Sequence, residues 1–373
     1  MERTLKIFDG HAYTFPSLRD MGGFASADDL RRHLQQAMAA HHQPVLRARD
    51  RAQIDDSGLT DESNWPSLSA LKETGFRAGS NGRFEWTVDG EEYIKQYFPP
   101  SITDMSYSPD QLVAEMDYAG VEKALLHRTP YLGIGNEYIA DCVRRFPDRF
   151  MGLAHVQEWL VEPQPERCIE NLTRAVREQG LSGLHFLPPQ MNLYDQRGSW
   201  DAEGFRPFWD AVAELNIPVF FSLKEREEPK LASYFEELKT LQRWMERYPD
   251  SKVVMTHGLQ WRMFMDDDGI NLPEQVWEPF RNPNLYLQLL FPIALGGVWD
   301  YPMSQARPAI EECVHRIGAD RLMWGTDMPI VTRFWTYRQN KDFIQRYCDF
   351  LDSKQMEAIM GGTTARLLGV PWP

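Results

Sequence analysis

Eight short apolar runs alternate with amphipathic helical patterns along most of this chain, and that alternation leaves few folds open. The runs are Leu5–Asp9, Val121–His127, Phe150–His155, Ser182–Leu187, Pro218–Ser222, Lys252–Thr256, Leu285–Leu289 and Arg321–Gly325. Helical periodicity falls between them, over Pro109–Ala119, Asn136–Phe146, Glu166–Gln179, Gly204–Leu215, Lys230–Tyr248, Ala306–Ile317 and Phe334–Leu351. Strands separated by helices pair in parallel, and this number of them closes most economically as a (β/α)8 TIM barrel, an α/β fold. A doubly wound open sheet is the alternative. It lacks support, because no Gly-rich phosphate fingerprint follows the first run and no P-loop occurs. At 373 residues the chain is long for one domain unless that domain is such a barrel, here expected to span 1–373.

The first crossover is irregular, with about a hundred residues between the first and second runs where one helix would suffice. This insert, 18–104, carries a helical stretch at Asp28–Ala40 and a polar segment around Arg49–Ser63. It ends in a hairpin-like pair, Arg83–Val88 and Glu92–Lys95, turned by Asp89-Gly90. Because it leaves from the C-terminal end of the first strand, it is either a lid over the site or an oligomer arm.

A net charge of −14 argues against nucleic acid or an anionic membrane as partner, while a local pocket potential can still accept a small anionic substrate. No apolar stretch is long enough to span a bilayer, and the N-terminus shows no signal-peptide pattern. Cys142, Cys168, Cys313 and Cys348 are widely spaced and match no metal motif, so they read as structural thiols of a reduced, cytoplasmic protein. Around Trp261, Phe264, Tyr286 and Phe291, core packing is favoured over a pocket wall or an oligomer interface.

Chemistry on such a scaffold sits where the strands end. Five of nine histidines fall there: His11, His127, His155, His185 and His257, while His33, His41, His42 and His315 read as surface residues. The first strand runs into Asp9-Gly10-His11, and the last into Gly325-Thr326-Asp327-Met328-Pro329. If those strands are neighbours, His11 and Asp327 supply a base and an acid, or two metal ligands. The Pro after Met328 favours an extended exit, and the next helical pattern starts only near Phe334, so an N-cap role for Asp327 is disfavoured. His257 precedes Gly258, which permits a sharp turn beneath a pocket. Arg128 either clamps a substrate carboxylate or pairs with an acid, and Lys224 either polarises a substrate or opens a solvated charge run.

With Phe146–Leu153, Gly183-Leu184-His185-Phe186, Thr256-His257-Gly258 and Gly325–Pro329 in that order, the chain resembles the amidohydrolase superfamily. The similarity is to its amidohydrolase-2 branch, that of aminocarboxymuconate-semialdehyde decarboxylase and related aromatic-acid decarboxylases and hydrolases. The resemblance implies one divalent metal, typically zinc or manganese, on a His-x-His pair of strand one, a His ending strand five and an Asp ending strand eight. It also implies a His after strand six as acid/base or substrate contact, and a homodimer or larger assembly. His11, Asp327 and His257 match the first His, the Asp and the strand-six His.

Tyr13 stands where the second His of the pair is expected, and Ser222 where the strand-five His is expected. A serine hydroxyl is a poor ligand, and neutral Tyr is weaker than imidazole. Three outcomes stay open. A metal (zinc, manganese or, with a Tyr ligand, iron) is kept through substitutes such as His185, Glu225 or Tyr13. Alternatively a metal-free hydrolase of lactone type works with His11, His257, Tyr13 and Lys224 as electrophiles and Asp327 as base. Finally, the chain is a silent ligand-binding barrel. The enzyme reading is a hydrolase or non-oxidative decarboxylase of a small carboxylated, aromatic or ring-derived compound. In it His185, Ser222, Arg128 and His127 contact substrate.

Overall fold

The computed structural model describes residues 5–61, 64–224, 230–267 and 269–372. Strands β1 (Phe8–Ala12), β2 (Lys123–Leu126) and β3 (Phe150–Gly152) form one parallel sheet. A second parallel sheet runs in chain order through β4 (Ala154–His155), β5 (Leu184–Phe186), β6 (Val219–Phe221), β7 (Val253–Met255), β8 (Leu285–Leu289) and β9 (Leu322–Trp324). β3 and β4 are halves of one run split at Leu153, where the chain passes between sheets. The Leu153 N–H donates to Leu126 O, and the Ala154 N–H donates to Gly183 O. At the other end β1 lies beside the exit of β9, through a parallel bridge between Ala12 and Met328 and a 2.7 Å bond from Tyr13 N–H to Met328 O.

Apolar runs located the strands well except the first, expected at Leu5–Asp9 and found at Phe8–Ala12. Ladder pairing with Lys123–Leu126 carries the strand through the polar Asp9-Gly10-His11, which hydropathy alone cannot register. His11 is therefore inside β1, not beyond it. The helix expected over Phe334–Leu351 spans Tyr337–Tyr347, because Thr336 and Gln339 close a capping box and fix its start. Pro109–Ala119 has the expected bounds for local reasons: a Ser108/Gln111 capping box, Pro at the first turn and left-handed Gly120 at its end.

Phe8, Leu125, Leu153, Phe220, Val254 and Met323, drawn from both sheets, pack into a small cluster of their own. The larger core lies between the strands and the helices, and it takes in Trp261, Phe264 and Phe291, with Trp261 and Phe291 stacked at 4.3 Å. No helix among the described residues is long and apolar enough to cross a membrane.

Between β1 and β2 the chain forms a helix, Ala27–Ala40, and a five-stranded antiparallel sheet that includes the hairpin Arg83–Val88/Glu91–Gln96. Asp89 and Gly90, at φ 50° and 78°, make its turn. The helix buries Leu30, Leu34 and Met38 on one face, and its last carbonyls are met by buried Lys95, whose Nζ lies 2.5 Å from Met38 O and 2.7 Å from His41 O. His33, read from sequence as a surface residue, shares that buried face. It sits 4.8 Å from the Phe24 ring and 5.3 Å from Trp159, with Nε2 3.0 Å from Tyr194 Oη.

Burial pushes the His33 imidazole down to about 3, with the charges of His155 and Arg32 adding to it. Below pH 6.5 the unfolded chain binds a proton that the folded chain refuses, so this contribution is complete above pH 6.5 and is lost as pH falls towards 3. His33→Phe is expected to flatten the fall of stability below pH 6.5 by up to one proton, about 1.4 kcal/mol per pH unit. Urea denaturation of both proteins at pH 5 and pH 7.5 measures the difference.

Candidate active site

The pairing register shifts between Asp9 and Ala12, and this irregularity sets the direction of three side chains. Phe8 joins the cluster between the sheets, while Asp9 reaches Thr326 and Tyr337. After the shift His11 is back on the side of Phe8, stacked on the His127 ring at 3.6 Å and 10°. Asp9 is fully buried and accepts from Thr326 Oγ1 at 2.5 Å, Tyr337 Oη at 2.7 Å, His11 N at 2.9 Å and Thr326 N at 3.1 Å. Burial pushes its carboxyl up to about 7 in spite of those donors. Asp9 thus ties β1 to the segment that carries Asp327.

His11 is fully buried, and burial pushes it down to about 3, so the ring is neutral at physiological pH. Its tautomer follows from Gln288. The Gln288 amide nitrogen donates to Gly10 O at 2.7 Å, so Oε1 is the acceptor facing His11 Nδ1 at 2.8 Å. Nδ1 therefore carries the proton, and the Nε2 lone pair points at Tyr13 Oη, 2.8 Å away, and Asp327 Oδ1, 3.4 Å away. Burial holds the Tyr13 phenol well above its usual range, with Asp327 adding to it, so Tyr13 is a neutral donor to that lone pair.

Asp327 and His257 both adopt left-handed backbone, at φ 69° and 61°. Non-Gly residues seldom occupy this region, and strain of this kind gathers at functional sites. The turn after His257 needs Gly258 (φ 86°), where a Cβ would stand 2.4 Å from the Trp261 ring. His257 Nε2 lies 3.3 Å from Asp327 Oδ1. Burial opposes ionisation of Asp327, but His257, followed by His11 and Arg333, outweighs it and holds the carboxyl below the usual carboxylate range. The Asp327 carboxylate caps no helix, although a helical turn starts at Ile330, earlier than the pattern near Phe334 suggested.

His11, His257 and Asp327 each offer one donor atom within 4.8 Å of the others. With bonds of about 2.1 Å, donors sharing one cation stand roughly 3–3.5 Å apart, which the 3.4 and 3.3 Å separations match. Two imidazoles and a carboxylate fit a divalent cation and leave positions open for substrate. His257, expected as an acid/base or substrate contact, is thus also a candidate donor. Ser222 and His185 lie outside this group. The Thr256 hydroxyl donates to Phe221 O at 3.1 Å and so accepts from Ser222 Oγ at 2.5 Å, leaving Ser222 to accept from His185 Nε2 at 2.9 Å. His127 Nε2 donates to Gly10 O at 3.0 Å.

Arg128 is buried and has no carboxylate partner among the described residues; it lines a cleft whose walls do not include His11, Tyr13, His257 or Asp327. Lys224 is exposed, near His41 and His42, and Glu225 lies outside the described residues. The structure adds groups that sequence spacing could not reveal, because they come from distant segments. Tyr97, from the insert, bonds Tyr131 through the two hydroxyls at 2.8 Å, and Asp327 acts on both phenols. Arg333 packs over Tyr97 at 5.1 Å, with Nη2 3.3 Å from His41 Nε2, and Arg262 Nη2 lies 3.2 Å from His42 Nε2.

An amidohydrolase family signature matches residues 38–370, most of the chain. The chain belongs to the amidohydrolase family. Membership identifies an enzyme, a hydrolase or carboxy-lyase, and implies the TIM-barrel architecture that the parallel strands follow. The match begins after β1, so His11 and Tyr13 of this amidohydrolase lie outside it. No curated protein matches the chain. Among solved structures it resembles 5-carboxyvanillate decarboxylase from Sphingomonas paucimobilis, at 16% identity and TM-score 0.58, over 99% of this chain and 100% of that one. It also resembles 2,6-dihydroxybenzoate decarboxylase from Rhizobium, at 17% identity and TM-score 0.52, over 71% and 89% of the two chains. A third likeness is to dihydroxybenzoic acid decarboxylase from Polaromonas sp. JS666, crystallised with manganese and 2-nitroresorcinol, at 18% identity and TM-score 0.51, over 71% and 87%.

Asp9→Ala leaves the hydroxyls of Thr326 and Tyr337 and two backbone N–H groups without their acceptor. It is expected to cost about 3–5 kcal/mol of stability, measured by urea denaturation.

Proposed function

We propose that this amidohydrolase is a non-oxidative decarboxylase of a small aromatic acid, with a divalent cation on His11, His257 and Asp327. The observation that carries the reading is an ionised, buried Asp327 hydrogen-bonded to His257, beneath a rim of cationic side chains. Among the described residues Arg262, Arg333 and Lys224 have no carboxylate partner, and they gather around His41 and His42 in a chain of net charge −14. Such a rim draws in an anionic substrate and orients it. The carboxylic-acid substrates in the names of the similar structures, and the manganese in one of them, agree with this reading.

When bound, the cation would supply Lewis-acid charge to the substrate's oxygens. The protein's residues move the proton. With His257 Nε2 and Asp327 Oδ1 engaged by the cation, Asp327 would carry a solvent-derived proton on Oδ2 and deliver it to the ring carbon bearing the carboxylate. The carbon–carbon bond then breaks, its electron pair restores the aromatic ring, and carbon dioxide leaves. Gln288 fixes the His11 tautomer and so keeps Nε2 available, as the partners of metal-binding histidines commonly do. Tyr97 and Tyr131 wall the site and exclude water, which disfavours hydrolysis. In this reading His127 and His185 back the substrate pocket, and Lys224 at the rim meets the substrate's charge.

One observation favours a second reading, a metal-free hydrolase. Tyr13 already occupies the His11 Nε2 lone pair, so the phenol and a cation compete for it. The wider reading is a closed eight-stranded barrel acting as a cytoplasmic homo-oligomer, with the 18–104 insert as a lid. The hydroxyl contact from Tyr97 to Tyr131 supports the lid, and the buried, free state of all four cysteines the cytoplasmic location.

Asp327→Asn is expected to lower carbon dioxide release from a panel of hydroxylated benzoates and isophthalates by about 10²–10⁴-fold with little change in melting temperature. Retained turnover would overturn the assignment. Tyr13→Phe is expected to raise manganese affinity, read by calorimetry. An unchanged affinity would remove the competition that favours the metal-free reading.

A further inference from the structure

Arg128 presents an unsolved charge. Its guanidinium is fully buried, yet among five N–H donors only Nη1 has a partner, Thr14 O at 3.2 Å. The Tyr138 ring lies 5.2 Å from Cζ, and Nε and Nη2 bond nothing. Burying a cation without a counter-charge costs several kcal/mol, on the order of the penalty for breaking a buried ion pair. The two idle groups share one edge of the guanidinium, the edge whose parallel N–H vectors match two oxygens of a carboxylate or phosphate.

That residue lines a cleft of about 580 Å3 between the segment around Gly22 and Gly23 and the start of the helix Asn136–Arg145. The helix begins at Gly135 with no side-chain cap, and Gly135, Glu137 and Tyr138 line the same cleft as Arg128. A 2.7 Å bond from Ile134 N–H to Gly22 O holds the walls together. Gly133 passes close beside the guanidinium: at φ 102°, a Cβ there would stand 3.1 Å from Nη2 and 2.5 Å from Gly22 O. Arg19 adds positive charge at the rim and Asp20 negative charge. The Glu137 carboxylate, also there, is drawn outward to Arg174 at 3.3 Å and Gln179 at 3.4 Å.

We propose that Arg128 and the N-terminus of helix Asn136–Arg145 form an oxyanion site, separate from the active site, for the carboxylate or phosphate group of a small ligand. The oxyanion takes the Nε/Nη2 edge bidentately, and the first-turn N–H groups complete its shell.

The test is thermal denaturation of the full chain titrated with inorganic phosphate, acetate or benzoate, with chloride holding ionic strength constant. At least one oxyanion is expected to raise the melting temperature saturably in the wild type and in Asp327→Asn. Arg128→Met and Arg128→Lys are expected to weaken that response at least tenfold. A response to phosphate alone identifies a phosphate group, and a response to acetate and benzoate a carboxylate. A rise no greater than with chloride, equal responses in wild type and Arg128→Met, or loss of the response in Asp327→Asn would overturn the proposal. Wild-type crystals soaked in selenate decide the matter if the Arg128 variants do not fold. An anomalous peak at the Nε/Nη2 edge is expected, and its absence at saturating selenate overturns the site.

Discussion

The active site depends on the joint between the first strand and the exit of the last. Asp9 accepts from Thr326 and Tyr337, the Tyr13 N–H donates to Met328 O, and the Asp327 N–H donates to His11 O at 2.8 Å. These bonds lie far apart in sequence and close together in space. They set His11 Nε2 and Asp327 Oδ1 at 3.4 Å. A carboxylate buried as completely as Asp9 is tolerable only because four donors converge on it.

Above that joint, neutrality is maintained by burial and direction by hydrogen bonds. His11, His127 and His185 are all driven well down from the ordinary imidazole range by burial, so the ring stack carries no mutual repulsion at neutral pH. Each ring nitrogen that must hold a proton has an acceptor: Gln288 for His11, Gly10 for His127 and Ser222 for His185. The replacement of an expected histidine by Ser222 thus has a structural answer, a hydroxyl relay ending at Phe221 O. His257, next to the ionised Asp327, is the most exposed member of the group.

Charge is distributed against the average. A chain of net charge −14 concentrates Arg262, Arg333 and Lys224 where the insert meets the strand ends, and it buries Arg128 in a second cleft. Global charge governs solubility and non-specific partners, whereas these local potentials govern which small molecules are held. The insert contributes to the first of them through Tyr97, His41 and His42, so substrate recognition and the packing of the insert share the same side chains.

The sequence by itself determined the parallel α/β plan, because apolar runs of strand length between capped helices depend on local periodicity and local capping. It also pointed to His257 and Asp327, whose flanking Gly and Pro residues mark abrupt exits from strands, and to His11 near the end of the first strand. Tertiary structure alone decided the rest. The register shift in β1 turns His11 and Asp9 to opposite sides, and strict alternation cannot show it. Burial of His33 depends on which face of its helix meets Trp159, more than a hundred residues away. Gln288 gains its role only when β8 lies beside both β7 and β9, and Tyr97 and Arg333 meet only because a long crossover folds back. Periodicity reports what a residue's neighbours in the chain are doing, and these contacts are made by residues that are neighbours only in the folded state.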